Sequence, residues 1–164
     1  KQTLTVSESH GAAIGFQVTF RYHMAGAAPD ERKGPLAVDL TYDRTELAVG
    51  EAIQATAQVV NKTGGSAPMV MLELPVPAGF TASPDDFAAL VKPGGRVAKY
   101  QMRPQGVLLY LTGLDVGESL KVTYRLRATM PVKAAAAGAR AYEYYDPDKQ
   151  GSSAGTRIMV AARD

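Results

Sequence analysis

Strict alternation of apolar and polar residues constrains this chain more than any other feature. In Phe16-Gln17-Val18-Thr19-Phe20-Arg21-Tyr22, the residues Phe16, Val18, Phe20 and Tyr22 share one face, and Gln17, Thr19 and Arg21 take the other. Ala37 to Tyr42 repeats the pattern with Val38, Leu40 and Tyr42 inward. Ile53, Ala55, Ala57 and Val59 oppose Gln54, Thr56 and Gln58 in the same way. A period of two over such lengths marks half-buried antiparallel strands. Further strands are expected at Met69–Leu74, Val97–Met102, Val107–Leu111, Leu120–Ala128, Ala141–Tyr145 and Arg157–Val160. Turn chemistry separates them, with Lys-Thr-Gly-Gly at 62–65, Pro-Gly-Gly at 93–95, Pro-Gln-Gly at 104–106 and Gly117. Many short strands punctuated by glycine and proline predict an antiparallel β-sandwich.

One segment predicts helix. Ser83 stands at an N-cap position, Pro84 at the first helical position, and Asp85 and Asp86 in the first turn. The helix should run to Lys92, where Pro93-Gly94-Gly95 stops it, with Phe87, Leu90 and Val91 forming the apolar stripe that docks on the sandwich. Residues 23–35 differ in kind: they hold small residues, two prolines and four consecutive charges without a period. They read as a linker. Residues 1–22, with two candidate strands, cannot form a core alone. They either join the main sandwich at 36–164 or are the tail of a preceding β-domain. Lys1 is not a methionine, so the chain reads as a piece of something longer.

Composition removes several function classes. The chain has no cysteine, which excludes disulfides, thiolate nucleophiles and Cys-ligated metals within it. A net charge of +2 does not suit nucleic acid, which needs concentrated positive charge. No run approaches the ~18 apolar residues of a membrane span. Ala-rich, Cys-free composition suits a bacterial protein better than a small secreted animal domain.

Three stretches carry a family resemblance. Met69-Val70-Met71-Leu72-Glu73-Leu74-Pro75-Val76-Pro77-Ala78-Gly79-Phe80, Val107-Leu108-Leu109-Tyr110-Leu111 and Ala141-Tyr142-Glu143-Tyr144-Tyr145-Asp146-Pro147-Asp148 stand in this order, with the capped helix between the first two. Together they resemble the C-terminal receptor-binding domain of the α2-macroglobulin and complement thioester proteins, in a bacterial member. Gln17–Tyr22 resembles the last strand of the β-domain that precedes it. The resemblance implies an all-β, antiparallel, Ig-like macroglobulin-type sandwich with one short inserted helix. It also implies a large secreted, periplasmic or cell-surface parent that traps proteases or tags targets through a thioester. This last domain would be non-catalytic, monomeric and without cofactor, exposed for partners after activation. Its partners would be other domains of the parent, proteases through the parent, and a receptor or protein with an acidic surface. The thioester's Cys-Gly-Glu-Gln motif is absent here, so that chemistry belongs to other parts of the parent. The paired lysines of the vertebrate receptor site would fall near Pro84 and Ala88. Only Lys92, at the helix's far end, remains, so the architecture carries over and that receptor site does not.

Read residue by residue, the sequence offers little catalytic chemistry. Asp146-Pro147-Asp148-Lys149-Gln150-Gly151 imitates the start of a calcium loop, but Arg157 takes the place of the closing bidentate acid, so an Asp-Pro turn is expected. His10 and His23 lie in no nucleophile-elbow pattern, and two histidines make a poor zinc set. Gly94-Gly95 lacks the lysine and strand–loop–helix order of a phosphate loop. Asn61-Lys62-Thr63 fits a glycosylation acceptor in a turn. Tyr142, Tyr144 and Tyr145 are expected to pack the core with hydroxyls at its rim. The strongest candidate surface is basic. Lys121, Arg125 and Arg127 alternate with apolar residues, and Lys99 and Arg103 alternate on an earlier strand. If the two strands pair, one face is positive, and it is either a solvated face protected by its charges or a platform for an acidic partner. With Lys92, these are the candidate partner-binding residues. The rival reading is a generic Ig-like adhesion or carbohydrate-binding module, for which Leu47-Ala48-Val49-Gly50-Glu51 before an alternating strand is also typical.

Overall fold

The computed structural model describes residue 11 and residues 33–163. The strand expected at 16–22, the rest of 1–22 apart from Gly11, most of the linker at 23–35, and both histidines lie outside the described residues. The described elements are β1 (Leu36–Tyr42), β2 (Glu46–Ala48), β3 (Ala52–Asn61), β4 (Val70–Pro75), β5 (Phe80–Ala82), α1 (Pro84–Ala88), β6 (Val97–Arg103), β7 (Gly106–Leu111), β8 (Ser119–Ala128), β9 (Val132–Ala136), β10 (Arg140–Glu143), β11 (Gln150–Ser152) and β12 (Thr156–Ala161).

They form a sandwich. One sheet has the order β1-β3-β8-β5 and the facing one β11-β10-β4-β7-β6, while β2-β12-β9 makes a third, smaller sheet. The ladders are antiparallel apart from β12 with β2. The period-two residues meet between the layers: Leu40, Ile53, Ala55, Ala57, Val59, Val122 and Leu126 of the first sheet share a core with Val70, Leu72, Leu74, Leu109 and Leu111 of the second. Leu47, Ile158 and Val160 of the third sheet close the same core. Each alternating strand buries one row because only one of its faces meets another layer.

Two local devices shape the part of the fold that carries the candidate surface. Between β4 and β5, Phe80 N–H donates to Pro77 O at 3.1 Å and Gly79 has φ +81. This is the left-handed third position of a type II turn, which glycine fills without strain. The second device is a β-bulge between Val97 and Lys99 in β6. Strict alternation would put Val97 and Tyr100 on opposite faces, yet Val97 is buried and Tyr100 packs against the same core. The extra residue resets the phase, turning Lys99, Gln101 and Arg103 outward together.

The helix is shorter than the sequence predicts. It ends at Ala88, and the Ser83 side chain makes no capping bond. Beyond it, Leu90 and Val91 N–H groups donate to Phe87 O and Ala88 O in tight turns, and Val91 forms a parallel bridge with Val97. Val91 is drawn into β-pairing, so of the expected stripe Phe87 is buried and Leu90 packs half-buried against the core. Phe87 is fully buried, 6.1 Å from the Tyr100 ring and 5.4 Å from the Tyr124 ring, and plugs the gap between β6 and β8.

Candidate interaction surface

The basic residues do not form one face. β6 pairs with β7 in the five-stranded sheet, whereas β8 pairs with β3 and β5 in the four-stranded sheet. Lys99 and Arg103 therefore point out of one side of the sandwich, and Lys121, Arg125 and Arg127 out of the other. Pattern alone cannot show this, because alternation specifies a strand's faces and not its neighbours.

On the β8 side, Lys121 stands opposite Gln58 and Arg127 opposite Ala52, and neither has an ion pair among the described residues. Between them Thr123, Thr56 and Thr41 form a polar row. Arg125 is different. Its Nη2 donates to Asp86 Oδ1 at 2.6 Å, its Nε donates to Asp86 Oδ2 at 3.1 Å, and its backbone N–H donates to Oδ2 at 2.9 Å. The Arg125 guanidinium holds the Asp86 carboxyl below the usual range, with burial opposing it. Arg125 thus pins α1 to β8, a structural task. Lys92 is exposed beyond the helix, and its carbonyl accepts the Gly95 N–H of the turn into β6.

The outer face of the five-stranded sheet is more elaborate. Tyr142, Met71, Tyr110 and Lys99 stand in one cross-strand row, and Arg140, Glu73, Leu108 and Gln101 in the next. Met71 and Leu108 face outward and are 3% and 1% exposed, covered by their long neighbours. Glu73 serves two cations, with Arg103 Nη1 at 3.4 Å and Arg140 Nη1 at 3.8 Å. Arg140 also lies 4.9 Å over the Tyr142 ring and donates to Gln150 Oε1, while Lys99 sits 5.6 Å from the Tyr110 ring. Burial, then the Glu73 charge, raise the Tyr142 pKa, while Arg103 and Arg140 pull it the other way. Beside this face, Glu73, Pro75, Arg103, Pro104, Gly138 and Arg140 help line an open groove of about 500 Å³. Tyrosine and arginine over buried apolar residues is the composition of interaction hot spots. Sequence reasoning missed Arg140 and Tyr110 here, although Arg140 is in step with Tyr142 across Ala141.

Other sequence expectations also change. Tyr142 lies on the outer face, and Tyr144 and Tyr145 are 52% and 70% exposed in edge-to-face contact at 5.1 Å, so none of the three packs the core. The strand stops at Glu143, where a turn closed by Lys149 N–H to Asp146 O begins. Asp146 and buried Glu143 both pair with Lys149, whose pKa they raise, Asp146 first. Among the described residues no group of three or more His, Asp or Glu is placed to hold a metal. Asn61 cannot take a glycan in the folded state: it is fully buried and its Nδ2 donates to Leu114 O at 2.8 Å and Gly65 O at 2.9 Å.

Residues 65–154, more than half of the chain, match the model of the A-macroglobulin receptor binding domain. The chain belongs to this family. The matched span runs from the turn before β4 to just past β11, so it contains α1, all of the five-stranded sheet, and β5 and β8 of the four-stranded sheet, but not β1 or β3. Solved structures agree on the fold. The chain is similar to Salmonella α2-macroglobulin mutant Y1175G (TM-score 0.70, 15% identity, 82% of this chain and 10% of that one). It is also similar to E. coli α2-macroglobulin from domain MG7 to the C-terminus (0.68, 16%, 82% and 24%) and to the trypsin-activated E. coli protein (0.68, 14%, 82% and 11%). The macroglobulin receptor-binding architecture is thus present, while the chain spans about a tenth of the length of the intact E. coli and Salmonella proteins. No curated protein sequence matches it. Among the described residues no helix is long and apolar enough to cross a membrane.

Proposed function

We propose that this domain is the non-catalytic C-terminal interaction domain of a large bacterial α2-macroglobulin-like protein, secreted, periplasmic or cell-surface, that traps proteases or tags targets. The observation that carries this reading is the match of residues 65–154 to the receptor-binding domain. The similarity to an E. coli protein described as trypsin-activated supports a parent that responds to proteolysis. Any thioester resides in other parts of that parent, since this chain has no cysteine. After cleavage of the parent the domain becomes exposed and presents its unsaturated cations to acidic protein surfaces. Lys99 and Arg103 on one side, and Lys121, Arg127 and Lys92 elsewhere, are the contact residues, while Arg125 keeps α1 in place.

The test is the size and protease response of the natural polypeptide. An antibody raised against this domain should detect, in denatured source extract, a band roughly ten times the 17.4 kDa of this chain. In the native parent, antibody access should rise on limited trypsin treatment. A band near 17 kDa without a larger precursor refutes a parent machine, and unchanged access after cleavage refutes exposure on activation.

A further inference from the structure

β6 is the last strand of its sheet, with β7 on one side only. Its outer edge is taken at the start, where Val91 bridges Val97 in parallel and the Phe87 ring lies against Tyr100. Beyond that, among the described residues, no strand pairs with the edge from Lys99 to Arg103. An edge of this kind offers unpaired backbone N–H and C=O groups to another chain. The Val91 bridge shows the same edge already accepting a main-chain partner.

The side chains on this edge select what can join it. Lys99, Gln101 and Arg103 point outward and are exposed, while Met102 is 39% exposed on the opposite side. Lys99 meets only the face of Tyr110, and Arg103 meets only Glu73, which Arg140 shares. Lys99 and Arg103 thus share one face, four residues apart, and the one carboxylate within reach, Glu73, pairs with Arg103 and is divided with Arg140. A second copy of the strand is a poor partner: antiparallel pairing centred on Gln101 sets Lys99 of one copy opposite Arg103 of the other, and like charges directly across are destabilising. An acidic strand has the opposite effect.

We propose that the free edge of β6 takes up an extended acidic segment of another polypeptide as an added strand. Main-chain hydrogen bonds to Lys99–Arg103 hold the segment. Carboxylates at its alternate positions pair across the strands with Lys99 and Arg103, and the apolar residues between them lie on the Met102 side. In the isolated chain this docking depends on the edge alone, so its test stands apart from the parent's activation and thioester.

The probe is a fluorescein-labelled peptide, Ser-Glu-Val-Glu-Val-Glu-Ser, titrated by anisotropy into the full 164-residue chain. Saturable binding is expected below about 1 mM, with slowed amide exchange confined to Lys99–Arg103. Lys99→Glu with Arg103→Glu should weaken it by about tenfold or more, and a peptide with lysine in place of glutamate should bind that variant instead. Circular dichroism of the variant checks its fold. N-methylating alternate peptide amides should abolish binding. Lys133→Glu with Arg157→Glu, exposed on the β2-β12-β9 sheet and outside the proposed contact residues, should leave it unchanged. The proposal is overturned by no saturation, by an N-methylated peptide that binds equally well, or by equal losses from the two charge-reversal pairs. Dimerisation of the chain through β6 in sedimentation would overturn it as well.

Discussion

Two tyrosines with buried hydroxyls offer the same chemical change in opposite environments. The Tyr42 hydroxyl is buried and has no hydrogen-bond partner. The Tyr124 hydroxyl, also buried, donates to Pro75 O at 3.1 Å, linking β8 to the end of β4 across the core. Replacing either by phenylalanine removes one oxygen and leaves the ring. At Tyr42 the substitution relieves an unpaid desolvation of the hydroxyl, a cost of about 1–3 kcal/mol, so Tyr42→Phe should stabilise the fold by about 1 kcal/mol. At Tyr124 it removes a bond with a net value of about 1 kcal/mol and leaves a buried carbonyl unpaired, so Tyr124→Phe should destabilise by about 1–2 kcal/mol. For a domain of this size 1 kcal/mol moves Tm by roughly 3 °C, so the two variants should melt on opposite sides of the parent chain. Guanidinium denaturation with an unchanged m-value gives the free energies directly.

The same pair carries a signature in alkali. Burial pushes the Tyr42 phenol up to about 12, and burial followed by the neighbouring Tyr42 raises Tyr124 further. A folded pKa above the unfolded value of about 10 stabilises the fold below pH 10, and this contribution is lost as pH rises beyond it. Each Tyr→Phe variant should therefore lose less stability between pH 10 and 12 than the parent. If Tyr42→Phe destabilises as much as Tyr124→Phe, the Tyr42 hydroxyl has a partner and the reasoning fails.

Three further substitutions probe the elements around the surface. Asn61→Ala removes both Nδ2 donations and the Thr63 N–H bond to Oδ1, and should cost about 2–4 kcal/mol by chemical denaturation. Asp86→Asn should cost about 1 kcal/mol at pH 7. Because Arg125 lowers the Asp86 pKa, that cost should shrink as pH falls below about 4 and the parent's own carboxylate is protonated. Gly138→Ala drives a Cβ into the Ser153 carbonyl oxygen, so the backbone between β9 and β10 must shift, and a loss of about 2 kcal/mol or more in a melt is expected.

The strands legible in the sequence are those with one face in water and one in the core. β1, β3 and β8 have seven to ten residues, enough for alternation to show. β2, β5 and β11 have three residues each, too few to show a period. β9 is Val-Lys-Ala-Ala-Ala, whose alanines carry little strand propensity and join a sheet only because β12 offers a partner. The helix showed its start clearly, through proline and two acids, but its end depended on Val91 finding Val97.

The candidate surface divides along the same line. That Lys99, Arg103, Lys121, Arg125 and Arg127 face solvent follows from their alternation with apolar residues, because burying an unpaired charge costs far more than a strand position returns. Which of them stand together does not follow, since strand partners come from chain segments dozens of residues away. Tertiary structure alone put β6 beside β7 and β8 beside β3, gave Arg125 to Asp86, and placed Arg140 and Glu73 beside Arg103. It also buried Asn61 and left the β6 edge open. The local pattern determined strands, faces and family, because each residue's preference for core or water is its own. Pairing and enclosure were decided by contacts between distant segments, which no local pattern records.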